Sequence, residues 1–336
     1  MRIRHRVVLI GLLAMLAVPV PAADKPAAGA EARAAALAGF QGDLVSVLAL
    51  RAGAKPLLGA ALLARSLPKP GKFTSFHALI DRAAAAEDAG PAVQWARLAD
   101  CDARGDACPN ASALRKLTEQ AADNAAVWLL KFDLDTRDMK SAAARADLAH
   151  AAAAKLYDDY AGTSATALAA VVDALPPPAA AQNAAGASGV QALLVLGNAR
   201  LQVRPMLPVV AQLCDHAQSD AAIKADCLKL GQLLSWGSSP LARSLGLHLI
   251  ETLGDPAAQA DARRQRRDLA WQVHNHAQLA LRVPDDAALA AQWLGIVRQG
   301  GSEMSQWLAA LRAAGISTTA PGSWQPAGAT GREPSP

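Results

Sequence analysis

Alanine supplies about a quarter of this 336-residue chain, and aromatic residues only 4%. Alanine is the strongest helix former, whereas strands draw on the β-branched and aromatic side chains that are scarce here, so the composition predicts an all-α fold. Helix punctuation then recurs along the chain at intervals of about ten to twenty residues. Asp43 precedes LVSVLALRAG, Pro56 opens LLGAALLARS, and PKPG at 68–71 separates that segment from FTSFHALIDRAAAA. Pro91 starts a helix through Trp95 and Leu98, and Asn110 is placed to cap SALRKLTEQAA, where Leu114, Leu117 and Ala121 make an apolar stripe. Further helices are expected over 124–134, 138–157, 164–175, 190–203, 206–217, 221–236 and 240–253. A longer one should run from the Asp255–Pro256 pair to Arg282, with Pro284 opening the next and Ser302 capping the last, which ends at Gly315.

Short antiparallel helices in series follow the logic of an α-solenoid, in which each pair buries its apolar face on the next. At 176–189, PPPAAAQNAAGASG breaks the series with three prolines and small residues and reads as a linker or long loop. The expected organisation is a signal segment at 1–22, an N-terminal helical array at 23–175, that linker, a C-terminal array at 190–316 and a disordered tail at 317–336 with Trp324 as its anchor. DNAAVWLL at 123–130 resembles the opening of a tetratricopeptide repeat. With Trp128 at that family's tryptophan position, Ala144, Leu148 and Ala151 fall where small, bulky and small residues belong, while Lys131, Phe132 and Asp135 depart from the pattern. The resemblance covers about one imperfect repeat, 123–156, and implies a helical-hairpin architecture. QW recurs at 94–95, 292–293 and 306–307 and is expected at ordinary amphipathic core positions.

The first residues carry an address. A basic start, MRIRHR, leads into VVLIGLLAMLAV and then PVPAAD, the pattern of an export signal. Residues 7–18 are too short for a span, which needs about 20 apolar residues, and cleavage is expected after Ala22 with Val20 at position −3. Removing Arg2, Arg4 and Arg6 takes three charges from the formal +4 and leaves +1, so nothing electrostatic points to nucleic acid as a partner. The excess of alanine and arginine resembles proteins from GC-rich bacteria, which makes the bacterial periplasm the expected compartment and secretion its alternative. No cysteine stands near the cleavage site to take a lipid, and no later apolar run is long enough to anchor the mature chain in a membrane.

Four cysteines fall into two local pairs, and an oxidising compartment predicts disulfides between Cys101 and Cys108 and between Cys214 and Cys227. Zinc held by Cys214, His216 and Cys227 lacks both the usual spacing and a fourth ligand. In WQVHNHAQ, His274 and His276 point about 200° apart on a helix and cannot share a metal alone. His77, His150 and His248 are isolated. SLPK at 66–69 has the form of an acyl-enzyme motif, but Pro68 and Pro70 destroy the helical turn it requires. DLDTRD at 133–138 opens like a calcium loop that no glutamate closes. Glu87, Glu119, Glu251 and Glu303 all stand in or beside ordinary helical segments, with no motif that would desolvate one into a general acid. No cofactor and no metal is expected.

One charge run remains, DARRQRRD at 261–268. Asp261 with Arg264, and Arg264 with Asp268, can pair along a solvated helix face. Arg263 and Arg267 share a face with Trp271 one turn on, and together with Arg264 and Arg266 they form a possible site for phosphate, lipid or an acidic peptide. The expected function is that of an exported, non-enzymatic helical-repeat protein mediating protein or peptide interactions in the bacterial envelope. Its alternatives are a peptidoglycan-type hydrolase with a dispersed site, and a module binding anions or anionic lipid through the Arg263–Arg267 cluster.

Overall fold

A computed structural model describes residues 28–101 and 108–326. The signal segment therefore lies outside the described residues, as do 102–107 and 327–336. Among the described residues there are fifteen α-helices and no strand. They are α1 (Ala28–Leu48), α2 (Ala54–Ala64), α3 (Phe76–Ala85), α4 (Pro91–Arg97), α5 (Ala111–Gln120), α6 (Ala125–Arg137), α7 (Ser141–Ala153) and α8 (Ala161–Ala169). There follow α9 (Gly186–Ala199), α10 (Leu207–Asp215), α11 (Ala221–Leu234), α12 (Pro240–Leu253), α13 (Pro256–Arg282), α14 (Ala287–Arg298) and α15 (Glu303–Ala313). The chain is an all-α helical array.

Local chemistry sets most boundaries. Asn110 accepts a hydrogen bond from the Ala113 amide at 3.0 Å, Asp255 from Ala258 at 2.8 Å and Ser302 from Ser305 at 3.1 Å, each satisfying a first-turn donor that has no partner within its helix. At two of the starts that differ from expectation the cause is plain. Asp43 caps nothing: α1 begins fifteen residues earlier and runs through it, because EARAAALAGF is itself a strong helix-forming run. Pro284 lies in a 3-10 turn, Val283–Asp285, and it is Asp286 that caps α14 by accepting from the Leu289 amide at 3.0 Å.

Sequence neighbours pack in pairs, most extensively α2 with α3, α6 with α7, and α11 with α12. In the α6–α7 hairpin the chain returns beside its start, where the Ala125 amide donates to the Leu156 carbonyl at 2.8 Å. Lys131 Nζ lies 3.0 Å from Asp135 and 3.0 Å from the buried Asp147, so the charges that depart from the repeat pattern join the two helices. The array also closes on itself, since α14 packs on both α8 and α9, and α15 on α8. One core joins α1–α3 to α8, α9 and α14, and a second joins α4–α7 to α10–α12. Trp95 is fully buried in the second and Trp293 packs in the first.

Both cores therefore draw on both sides of 176–189, and the expected division there does not hold. Of linker and long loop, that segment is the loop. It forms a 3-10 turn at Ala179–Ala181 and the first residues of α9, with Ala181 and Ala185 buried. Asn183 donates to the Pro284 carbonyl and to Asp285, both at 2.7 Å, and small side chains allow the close approach. The expected disordered tail, 317–336, is corrected over 317–326, which lie along α13, while its last ten residues fall outside the described ones. The Trp271 indole donates to the Ser317 carbonyl at 2.8 Å, Gln272 to Thr318 at 2.7 Å, and the Ala320 amide to Asp268 at 2.9 Å.

Cys101 and Cys108 are disulfide-paired, as are Cys214 and Cys227, with Cα atoms 5.3 and 5.7 Å apart. The second pair joins α10 to α11 within the second core, where both cysteines are fully buried. Closing a loop of this length restricts the unfolded chain by about 3 kcal/mol. Replacing both Cys214 and Cys227 by serine is thus expected to lower the unfolding free energy in urea by about 3 kcal/mol or more, since two hydroxyls are also left in an apolar core. An unchanged urea midpoint would show that the helix pair needs no staple.

Candidate functional site

One concave surface is built by segments far apart in sequence. A space of ≈ 870 Å³ is bounded by the end of α9, the start of α12, one face of α13, the start of α15 and the docked tail. A second space of ≈ 420 Å³ shares Arg204, Leu241 and Ser244 with it, and a small recess of ≈ 60 Å³ shares Arg200, Arg204, Glu303 and Trp307. Together they form one cleft with apolar walls and four charges at its floor: Asp159, Arg200, Arg204 and Glu303.

Glu303 is placed there by a turn that only glycine makes comfortably. Gly300 and Gly301 have φ of +87° and +96°, so the chain reverses sharply after α14 before Ser302 caps α15. The turn then packs against α8 without a side chain between them. A Cβ on Gly162 would lie 2.3 Å from the Gly301 carbonyl oxygen and 2.6 Å from the Glu303 amide nitrogen. Gln306 donates to the Gly162 carbonyl at 3.0 Å, and the Met304 amide to the Ser238 carbonyl at 2.9 Å. Ser238 in turn donates from Oγ to Asp159 at 3.2 Å, and the Asp159 amide donates back to Ser238 Oγ at 3.2 Å. Three turns, before α8, α12 and α15, are thereby locked together, and Asp159 is buried among them.

The arginines come from the turn between α9 and α10. The Trp95 indole fixes that turn by donating to the Val203 carbonyl at 3.2 Å, which leaves Arg200 and Arg204 on either side projecting into the cleft. Among the described residues neither guanidinium has a hydrogen-bond or ion-pair partner. Arg266, on the opposite wall, is already paired with Glu251 at 3.1 Å.

Burial pushes the Glu303 carboxyl up to about 7, and the negative charge of Asp159 adds to the shift while Arg204 and Arg200 oppose it. Its Oε2 is buried without a hydrogen-bond partner among the described residues. Beside it, His276 stacks face to face on Trp307 with ring centroids 3.9 Å apart. Burial, helped by Arg200, brings this histidine down to about 4, so it is neutral at pH 7. His274 is exposed on α13 and His276 is buried, yet both border this cleft.

The arginine run at 261–268 is spent differently from the sequence reading. Arg264 pairs with Asp261 at 2.7 Å as helical spacing suggests, and Arg263 is exposed. Arg267 donates to the carbonyls of Gly322 at 2.9 Å and Trp324 at 3.0 Å, and to that of Pro321. Trp271 meets Trp324 edge to face at 5.3 Å. The face that could have held an anion is thus occupied by the chain's own tail, and Trp324 becomes part of the cleft wall. Elsewhere, His77, Asp81 and Asp100 bring ligand-type atoms within 4.8 Å of one another, but Arg97 holds Asp81 at 2.7 Å and completes an ordinary ion-pair network.

The expectation that no glutamate is desolvated fails at Glu303. Its local signal, GGSE at 300–303, marks a sharp turn into a helix, but nothing in that string tells that α8 and α12 will close over it. Arg200 and Arg204 follow an apolar run in GNARLQVR, with no motif to mark them. No family model matches the chain, and no curated protein or solved structure matches it.

Proposed function

We propose that the protein is an exported, non-enzymatic helical-array protein that binds a peptide or protein segment bearing carboxylates in this cleft. The observation that carries the reading is the pair Arg200 and Arg204, two cations without protein partners among the described residues, at the floor of an apolar-walled space of ≈ 870 Å³. A concave apolar site with a few convergent charges is the usual form of a ligand site, and guanidinium groups bind carboxylates through paired, charge-assisted hydrogen bonds. Polypeptide is favoured over lipid as the occupant because α13 already holds an irregular segment of chain on this wall through its main-chain carbonyls, by way of Arg267, Trp271 and Gln272. Export rests on the N-terminal sequence pattern and is consistent with the two cysteine pairs. No helix among the described residues is long and apolar enough to cross a membrane.

Selection from a displayed dodecapeptide library tests the reading. Enriched peptides should carry aspartate or glutamate, and the Arg200→Ala, Arg204→Ala double variant should bind them at least about tenfold more weakly with its helical spectrum unchanged, because each charge-assisted hydrogen bond contributes about 1.5–3 kcal/mol. Enrichment of neutral or basic sequences, or equal binding by the double variant, defeats it.

A further inference from the structure

The cleft floor holds two carboxylates as well as two arginines, and an acidic ligand satisfies only the arginines. Asp159 is internally supported, by Ser238 Oγ at 3.2 Å and the Ala161 amide at 3.4 Å. Glu303 has no such support at Oε2, which is buried and unpartnered among the described residues. An unsatisfied buried carboxylate oxygen is costly, and a native site that keeps one is commonly completed by something that binds there. What completes a carboxylate is a donor, and best a cationic one. We propose that the ligand of this cleft is amphoteric, presenting a carboxylate to Arg200 and Arg204 and, a few bonds away, an ammonium group to Glu303, as the side chain or terminus of a diamino acid within a peptide does.

This inference rests on the cleft being the peptide site and adds the second half of its recognition. Ligand and floor then match in both signs: two guanidinium groups face the carboxylate, and Glu303 with Asp159 behind it faces the ammonium. The charged and titratable groups around Glu303 are Asp159 from the turn before α8, Arg200 and Arg204 from the turn after α9, and Arg266, His274 and His276 from α13. His276 is neutral, and Arg266 is neutralised by Glu251. Glu303 therefore faces the cleft between the charge of Asp159 and those of the two arginines. In the free protein near pH 7 this carboxyl is about half protonated, given its value of about 7. An ammonium bound against it would hold it ionised, so binding should release about half a proton per site.

Isothermal calorimetry at pH 7 in buffers of different ionisation enthalpy tests the proposal with two short peptides. One carries aspartate followed by lysine, and the other is the same peptide with its lysine Nε acetylated. The native protein should bind the free-lysine peptide at least tenfold more tightly and with release of about half a proton. In Glu303→Gln both the preference and the proton release should vanish, while binding of the acetylated peptide through Arg200 and Arg204 persists. Equal affinity for the two peptides would overturn the amphoteric ligand and leave the acidic-peptide reading standing. A preference retained in Glu303→Gln would overturn the role of Glu303. Failure of both peptides to distinguish native protein from the Arg200→Ala, Arg204→Ala variant would instead strike at the cleft reading itself.

Discussion

Replacing Trp95 by alanine is expected to lower the unfolding free energy by about 3–5 kcal/mol, the range for truncating a fully buried tryptophan. Trp95 has no exposed surface, stands in the core that joins α4–α7 to α10–α12, and packs at an angle against Tyr160 with ring centroids 5.5 Å apart. Alanine would remove that contact area and leave the Val203 carbonyl without its indole donor. Trp95→Phe separates the two losses. Most of the packing is kept, so the stability cost should fall to about 1–2 kcal/mol, near the value of one buried hydrogen bond with some misfit. The turn carrying Arg200 and Arg204 would nevertheless lose its tether, and peptide binding should weaken more than stability does. Urea denaturation of the three proteins measures the first effect. A loss below about 1 kcal/mol in Trp95→Ala would mean that the second core is not organised around this residue.

Glu303→Gln should make the protein more stable, and increasingly so as pH rises. The folded-state value of about 7 lies above the ordinary 4.5, so the native state takes up protons that the unfolded state has given up. The glutamate is therefore harmless below about pH 4.5, where it is protonated in both states; its penalty builds as pH rises from 4.5 to about 7, where the unfolded state alone is ionised, and levels off above that. A rise of this size corresponds to about 3 kcal/mol at pH 8. Glutamine has nearly the same shape and no charge to desolvate, so the difference between variant and native protein should be small at pH 4.5 and approach that figure at pH 8. Thermal melts across this range measure it. A variant less stable at pH 8 than the native protein would show that Glu303 serves the fold. The expected gain would mark it as a residue kept against stability, the pattern found where function requires a strained or desolvated group.

The sequence alone determined the helical class, most helix starts, the cysteine pairing and the local pairing of Arg264 with Asp261. All of these are short-range: a cap bonds to an amide three residues on, and the disulfides close loops between consecutive helices. Where local reading failed, a longer-range contact had won. The segment 176–189 has the composition of a linker, yet Asn183 finds partners about a hundred residues away at Pro284 and Asp285. Residues 317–326 lack any pattern of their own and are held by Arg267, Trp271 and Gln272, on a helix whose arginine run reads as a solvated face or an anion site.

The cleft was decided by tertiary structure entirely. GGSE marks a turn, but the burial that changes Glu303, and the charge of Asp159 that adds to it, arise only because α15 folds back onto α8. The contact that fixes this return, Gln306 to the Gly162 carbonyl, joins residues 144 apart in sequence. Burial and electrostatic environment are properties of the packed neighbourhood and leave no trace in the spacing of residues along the chain. A chain of locally capped helices specifies its elements one by one, and only their closure makes a carboxylate and two arginines into a site.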